Sequence, residues 1–255
     1  MSAAGQGGAD SLEGRHILVS GACGGFGSAL ARRIASLGAT PILLGRRVPA
    51  LGRLHDEIEE SCGRRPGIYP MNLEGAAPED YQRVGEDIER ECGRLDGIVH
   101  AAASFQGLTS LEQTSPEDWL KGLHVNLTAP LFLTLGCLPL MRRQHDAAVV
   151  FMLDAVELQG RAYWGAYGIA KAGLEKMVAM LAAELERTPV RVHGLRPGPM
   201  RTMLRARAWF AEDPATVPEP DAFVAPCIRL LAGADVEEWR GRVMEARASG
   251  EAVSA

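Results

Sequence analysis

The sequence predicts a single α/β domain built on a doubly wound parallel sheet of about seven strands, with helices on both faces. Short β-like runs alternate with longer helix-compatible segments, and most of the short runs are apolar throughout, as strands buried on both faces are. The chain has 255 residues, 47% of them hydrophobic, which is enough for one large core. We expect this domain to occupy residues 13–255, preceded by a flexible Gly/Ala-rich tail of residues 1–12.

Seven segments have the composition of strands. In chain order they are His16–Ser20, Pro41–Leu44, Gly67–Met71, Gly97–Ala101, Val149–Leu153, Val190–Leu195 and Arg242–Glu245. Helix starts lie between them, most clearly at Ser115, where a capping serine precedes Pro116 and two acidic residues. Residues 199–220 break this rhythm with several prolines, and we expect them to form a lid over a substrate site.

Charge and composition argue against several classes of protein. The net charge is −5 and no long basic run is present, so a nucleic-acid partner is not expected. The cysteines and histidines are scattered without Cys-x-x-Cys or His-x-x-x-His spacing, so no metal site is expected. The N-terminus lacks the layout of a signal peptide, and the longest apolar stretch, Leu127 to Leu140, contains prolines and is too short to cross a bilayer. We expect a cytoplasmic protein that acts on a small molecule.

A glycine-rich segment follows the first predicted strand. It reads Ser20-Gly21-Ala22-Cys23-Gly24-Gly25-Phe26-Gly27 and leads into a predicted helix over residues 28–37. Glycines at a strand-to-helix turn let the backbone approach a pyrophosphate, which the helix N-terminus attracts with its free N–H groups. The position of the motif predicts a dinucleotide site; a simple tight turn is the alternative.

Two arginines stand where a second strand ends. An NAD-binding site places a carboxylate there for the ribose diol, but this chain has Gly45 followed by Arg46 and Arg47. Either arginine can pair with a 2′-phosphate, so NADP(H) is favoured over NAD(H). A solvated surface pair of arginines is the alternative.

Tyr167 and Lys171 stand one helical turn apart, and Asp154 closes the apolar strand before them. An ammonium group close to a phenol favours the phenolate, so we expect Lys171 to lower the pKa of Tyr167 and make it a ready proton donor. The identity of a third group beside this pair, here Asp154, then decides which substrate can use the proton.

Together these segments resemble the short-chain dehydrogenase/reductase family, which has a Rossmann-type fold, over nearly the whole chain. The resemblance implies catalytic roles for Tyr167, Lys171 and Asn126, where the lysine holds the nicotinamide ribose and the asparagine positions a proton-relaying water. It also implies a homodimer or homotetramer. The implied cofactor-binding residues are Ser20, Gly21, Gly25, Phe26, Gly27, Arg46, Arg47, Asn72, Leu73, Ala101, Ala102, Tyr167, Lys171, Pro197, Gly198 and Thr202.

The family has a serine at the position of Asp154, where it donates a hydrogen bond to the substrate oxygen. An ionised carboxylate about 4 Å from a developing alkoxide would repel it by on the order of 4 kcal/mol at an effective dielectric of 20, or about a thousandfold in rate. Asp154 is therefore protonated and donates, or faces a substrate N–H or cation, or marks a site that has lost catalysis.

Pteridine reductases are a subgroup that has aspartate at this position. Phe105 also matches the phenylalanine that stacks on the pterin in those enzymes, although it is equally compatible with an ordinary core position. Trp164 and Met203 are further candidates for the substrate pocket, with core or interface as the alternative. Arg201, Arg205 and Arg207 in the predicted lid are positioned to meet an anionic substrate or to form a solvated helix face.

Overall fold

The chain folds around one eight-stranded sheet. A computed structural model describes residues 11–155, 160–233, 237–247 and 252–254. The strands are β1 His16–Ser20, β2 Thr40–Gly45, β3 Gly67–Pro70, β4 Gly97–His100, β5 Ala147–Met152, β6 Val190–Arg196, β7 Val243–Ala246 and β8 Ala252–Ser254. Their order is β3-β2-β1-β4-β5-β6-β7-β8, and the first seven are parallel.

The seven predicted strands are all present, each within two residues of its predicted bounds. The predicted α/β class with a parallel sheet is confirmed. The eighth strand was not predicted: it is short and pairs antiparallel with β7 at the sheet's edge. Because β1 through β7 run in one direction, their carboxyl ends meet at one edge of the sheet, which we call the carboxyl edge. The opposite edge is called the amino edge.

Helices cover both faces of this sheet. They are α1 Gly25–Ser36, α2 Val48–Cys62, α3 Pro78–Cys92, α4 Pro116–Leu123, α5 Ala129–Met141, α6 Gly165–Glu184, α7 Met203–Ala208 and α8 Val224–Ala232. The predicted cap of α4 is confirmed, since the Ser115 hydroxyl accepts a hydrogen bond from the Asp118 N–H at 3.0 Å. One core cluster contains α1 and α8, and a second contains α3, α5 and α6 on the other face.

The apolar stretch Leu127 to Leu140 belongs to a longer helical run. A π-helical turn, His124–Thr128, joins α4 and α5 into one helical run, Pro116–Met141, which by length and composition alone would suffice to cross a membrane. The apolar stretch Leu127 to Leu140 is the later part of this run and is by itself too short to cross a bilayer. Its place in the fold accounts for its apolar character instead: Leu133, Cys137 and Met141 are buried in the core cluster that also contains α3.

Helices α3 and α5 touch at a pair of glycines. A Cβ atom added to Gly136 would lie 2.2 Å from the Tyr81 carbonyl oxygen, and one added to Gly85 would lie 2.1 Å from the Gly136 carbonyl oxygen. The backbones can approach this closely only because neither residue has a side chain. This contact holds α5, and with it the π-helical turn that carries Asn126, close to α3.

The tail predicted for residues 1–12 does not include Leu12. Residues 1–10 lie outside the described residues, but Leu12, which we had assigned to the tail, is fully buried and packs in the core cluster of α1. The Leu12 N–H also donates to the Leu37 carbonyl at 3.2 Å. The domain therefore includes Leu12.

Candidate active site

Three of the four predicted catalytic side chains, those of Asp154, Tyr167 and Lys171, meet at the carboxyl edge. Asp154 follows β5 by two residues, and Tyr167 lies in the first turn of α6. Two backbone positions with positive φ shape the entry to that helix, Tyr163 (74°) and Gly165 (40°). A positive φ is unusual for a tyrosine and is typical of a chain held in place by its surroundings.

Asp154 and Tyr167 form a direct hydrogen bond. The Tyr167 hydroxyl donates to Oδ2 of Asp154 over a short distance. The other carboxylate oxygen, Oδ1, accepts from the Ala155 N–H at 2.8 Å. Both oxygens of the carboxylate are thus engaged, and the phenolic proton lies between the two side chains.

Lys171 lies behind this pair. Its Nζ donates to the Met152 carbonyl oxygen at 2.6 Å, and it lies 5.6 Å from the centroid of the Tyr167 ring. The side chain is only 4% exposed. The ammonium group is therefore held against the end of β5, below the phenol.

The electrostatics of the phenol are the reverse of the sequence expectation. Burial, followed by the charge of Asp154 and the hydrogen bond to it, raises the pKa of Tyr167 well above 10. Burial likewise lowers the pKa of Lys171 to about 8, although Asp154 opposes that shift. The expectation that Lys171 lowers the pKa of Tyr167 was wrong for this state of the protein, because burial and the nearby carboxylate dominate. Tyr167 is a protonated phenol at neutral pH.

Asn126 occupies the π-helical turn between α4 and α5. Its Nδ2 donates to the carbonyl oxygens of Ser104 and Gly122, each at 2.8 Å, and its Oδ1 accepts from the Ser104 N–H at 3.0 Å. The side chain is 1% exposed. Asn126 therefore fixes the backbone of the loop after β4, directly before Phe105.

Phe105 and Trp164 lie beside Tyr167 in an aromatic cluster. Phe105 stacks on Trp164 with ring centroids 5.1 Å apart and meets the Tyr167 ring edge-on at 5.4 Å. Trp209, just after α7, contacts Trp164 at 5.2 Å. Phe105 and Trp164 are 6% and 4% exposed and pack with Tyr167 and Ala208 in one cluster. Met203 is 75% exposed and stands outside this cluster.

The arginines of the predicted lid are paired within the protein. Arg201 forms an ion pair with Glu219, and Arg205 binds Glu212 through two bonds of 2.6 Å while its guanidinium lies over the Trp209 ring. Arg207 donates to the Phe105 carbonyl at 3.2 Å. These side chains therefore fasten α7 to the loops around the aromatic cluster.

The glycine-rich segment has the close contacts that its motif predicts. Gly21 has a φ of 68°, and a Cβ there would lie 2.6 Å from the Ala102 Cα. A Cβ on Gly27 would lie 2.3 Å from the Gly21 carbonyl. Gly24 and Gly25 are exposed at the start of α1, which has no side-chain cap and no acidic residue in its first turn. This uncapped N-terminus suits a pyrophosphate.

Other predicted cofactor residues also lie at the carboxyl edge of the sheet. A Cβ on Gly25 would lie 3.0 Å from the Thr202 side chain, so the lid meets the glycine loop there. Arg46 is 2.7 Å from Glu74, Arg47 is the N-cap of α2, and Asn72 caps the turn over Leu73–Gly75. The remaining predicted residues lie at the ends of strands. The Ser20 hydroxyl accepts from the Ala102 N–H at the end of β1. Ala101 and Ala102 follow β4, and Pro197 and Gly198 follow β6.

Phe26 and Leu73, which the resemblance places among the cofactor-binding residues, have side chains that are buried in the core. Their exposed fractions are 7% and 8%, and each packs in a core cluster. Their side chains are therefore almost wholly withdrawn from solvent.

Sequence reasoning missed Arg196, the last residue of β6. Its guanidinium is 93% buried and bonds to the Asp154 carbonyl, Glu175 and Glu245. The signal available in the sequence was a charged residue at the end of an apolar strand, directly before Pro197.

Comparison with known proteins identifies the family. The family model for short chain dehydrogenases matches residues 15–212. The Escherichia coli oxidoreductase YciK is 35% identical over 93% of this chain and 94% of its own length. A short chain dehydrogenase from Pseudomonas syringae superposes with a TM-score of 0.88 at 39% identity, over 94% of this chain and 97% of the other. A short chain dehydrogenase from Shigella flexneri, solved with NADP, gives 0.88 at 34% identity, over 93% and 99%.

The chain belongs to the short-chain dehydrogenase family and is an oxidoreductase of that family with a Rossmann-type fold. The predicted resemblance is thereby confirmed. The particular chemistry of this member depends on its own residues, above all on Asp154.

Proposed function

We propose that the protein is an NADP(H)-dependent reductase of a C=O or C=N group in a small molecule, with Tyr167 as the acid/base. The observation that carries this proposal is the hydrogen bond from the Tyr167 hydroxyl to Asp154, at the carboxyl edge and beside the buried ammonium of Lys171. The raised pKa of Tyr167, which burial and Asp154 cause, keeps the phenol protonated and therefore able to donate.

NADPH is the proposed cofactor, and it supplies a hydride to the substrate carbon when bound. The uncapped start of α1 with Gly24 and Gly25 would hold the pyrophosphate. Arg46 and Arg47 would hold the 2′-phosphate, Lys171 the ribose and Thr202 the carboxamide. The NADP and NADPH complexes of relatives from Shigella flexneri and Escherichia coli support this choice.

The charge of Asp154 favours a substrate with a C=N group over one with a C=O group. Reduction of a ketone builds negative charge on oxygen, and a carboxylate at about 4 Å opposes it by on the order of 4 kcal/mol. A protonated C=N group is cationic before hydride transfer and neutral afterwards, so a carboxylate assists its binding. Tyr167 already donates to Oδ2, which leaves that oxygen less negative and still able to accept an N–H.

Pteridine reduction is the narrower alternative. Its support is the presence of Asp154 and Phe105 at the matching positions. However, Phe105 is stacked on Trp164 at 5.1 Å and meets Tyr167 with its other contacts. A pterin stacked on Phe105 would have to displace Trp164, whereas a smaller substrate would not.

The test is the replacement of Asp154 by serine, with Asp154→Asn as a neutral control of the same size. Wild type and both variants are assayed for NADPH oxidation with a ketone, a cyclic imine and a pterin. We expect Asp154→Ser to raise ketone reduction by up to about a thousandfold and to lower imine reduction. Unchanged or lower ketone reduction would contradict the electrostatic argument.

The alternative class is an NADP-binding protein with little turnover. Binding of NADPH, followed by nicotinamide fluorescence, without oxidation by any of the three substrates would favour that class. Oxidation with any one of them establishes the reductase.

A further inference from the structure

Arg196 connects three elements beneath the active site. It ends β6 and is 7% exposed. Its Nε donates to the Asp154 carbonyl oxygen at 3.1 Å, its Nη2 lies 2.8 Å from Glu175 in α6, and its Nη1 lies 2.6 Å from Glu245 in β7. One guanidinium therefore joins the loop after β5, the helix that carries Tyr167, and the neighbouring strand.

The contact between Arg196 and Asp154 follows directly after the last backbone hydrogen bond between the chain ends of β5 and β6. The last backbone hydrogen bond between these segments runs from the Leu153 N–H to the Leu195 carbonyl at 2.8 Å. At the next residue, the Arg196 side chain donates a hydrogen bond to the backbone carbonyl of Asp154. Within the described residues, this bond ties the backbone that carries the carboxylate to the end of β6.

The contact to Glu175 fixes the other half of the catalytic pair. Glu175 lies one helical turn after Lys171, which itself lies one turn after Tyr167. The pair between Arg196 and Glu175 therefore sets where α6 lies relative to the end of β6. Since the same guanidinium also holds Asp154, it controls the separation of the phenol and the carboxylate.

We propose that Arg196 is a positioning residue, which sets the geometry of the Asp154–Tyr167 hydrogen bond and thereby the rate of the chemical step. A guanidinium directs N–H groups on three separate nitrogens along fixed directions, whereas the three donors of a lysine ammonium sit on one nitrogen and cannot span acceptors on three elements. The part of this inference that concerns rate rests on the reductase activity proposed above.

The same strand provides a matched control. Arg191, at the amino end of β6, is 4% exposed and bonds to Asp146 through Nε at 2.7 Å and Nη2 at 3.0 Å. It also donates to the Leu230 carbonyl at 2.7 Å. Arg191 thus has the same burial, the same strand and the same kind of partners as Arg196, but it lies at the edge opposite the active site.

The experiment compares Arg196→Lys with Arg191→Lys in the full chain. We expect both variants to lose similar stability in urea. We expect Arg196→Lys alone to lower kcat by about tenfold to a hundredfold, with the KM for NADPH unchanged, since a misplacement of about 1 Å costs that much. Hydrogen exchange of the Ala155 amide, which donates to Asp154, should become roughly tenfold faster in Arg196→Lys and stay unchanged in Arg191→Lys.

Equal effects of the two variants on kcat and on Ala155 exchange would overturn the proposal, because Arg196 would then serve stability alone. If wild-type protein oxidises no NADPH, the proposed function fails, and the exchange of the Ala155 amide decides the role of Arg196 by itself. If Arg196→Lys does not fold, Glu245→Gln replaces it, because Glu245 is half-exposed and its neutralisation weakens the contact that holds Nη1, so the guanidinium is held less firmly against Asp154. Unchanged exchange and unchanged kcat in Glu245→Gln would then overturn the proposal.

Discussion

The two ends of β6 put the same type of residue to different uses. Arg191 at the amino edge and Arg196 at the carboxyl edge are both buried arginines with carboxylate and carbonyl partners. At the amino edge the contacts run only among structural groups. At the carboxyl edge they continue through Asp154 to the hydroxyl of Tyr167. Burial and charge alone therefore do not mark a functional site; what matters is whether the network reaches a group that can exchange a proton with a ligand.

The amino-edge network fastens a helix to the sheet. Arg191 donates to the carbonyls of Leu230 and Leu231, and Arg15 donates to those of Leu231 and Ala232, all in the last turn of α8. Asp146 accepts from both arginines. The arginines cap the carbonyls at the C-terminus of α8, where positive charge is favourable.

The largest effect on stability is expected at the amino edge. Asp146→Ala removes the carboxylate between Arg15 and Arg191 and leaves Arg191 buried without its charge partner. We expect a loss of about 3–5 kcal/mol in the free energy of unfolding, measured with urea. Asp154→Asn at the carboxyl edge should cost much less, since the amide oxygen can still accept from the Ala155 N–H and the amide N–H can donate to the Tyr167 hydroxyl oxygen. An equal loss of unfolding free energy in the two variants would show that the amino-edge carboxylate is no more important for stability than the one at the carboxyl edge.

A smaller effect is expected from two buried histidines. Burial lowers the pKa of His100, at the carboxyl end of β4, to about 3, and lowers that of His193, beside Arg191, to about 4. Both stay neutral in the folded protein while the unfolded chain binds protons below pH 6.5. The stability they contribute is therefore complete above pH 6.5 and is lost as the pH falls towards the folded pKa.

Between pH 7 and pH 5, each histidine should account for a loss of about 2 kcal/mol in unfolding free energy. We expect His100→Asn and His193→Asn each to reduce the slope of stability against pH in that range by a similar amount, measured by urea unfolding at several pH values. A slope that stays at the wild-type value in either variant would mean that the histidine in question is not held neutral.

Much of the fold and the site was visible in the sequence because the signals were local. Apolar runs gave all seven parallel strands, and the spacing of Tyr167 and Lys171 placed both on one face of α6. The meeting of Asp154 with Tyr167 could be predicted because both follow from the end of one strand and the start of the next helix. The glycine-rich segment was placed between a strand and a helix, and the structure has it between β1 and α1.

What escaped prediction depends on distant partners and on burial. The contacts of Arg196 join residues 21, 42 and 49 positions away, which no local pattern specifies. The direction of the Tyr167 pKa shift depends on how deeply the phenol is buried, and burial is a property of the folded chain. The same holds for Phe105, whose stack on Trp164 needs residues on either side of β5 to come together.

The central claim is that the proton held between Tyr167 and Asp154 is used in catalysis. The most direct measurement is the single-turnover rate of NADPH oxidation by Tyr167→Phe, with the best substrate of the panel and with NADPH binding followed by fluorescence. We expect Tyr167→Phe still to bind NADPH and its single-turnover rate to fall by about 10²–10⁴-fold. A rate within a few-fold of wild type would contradict it.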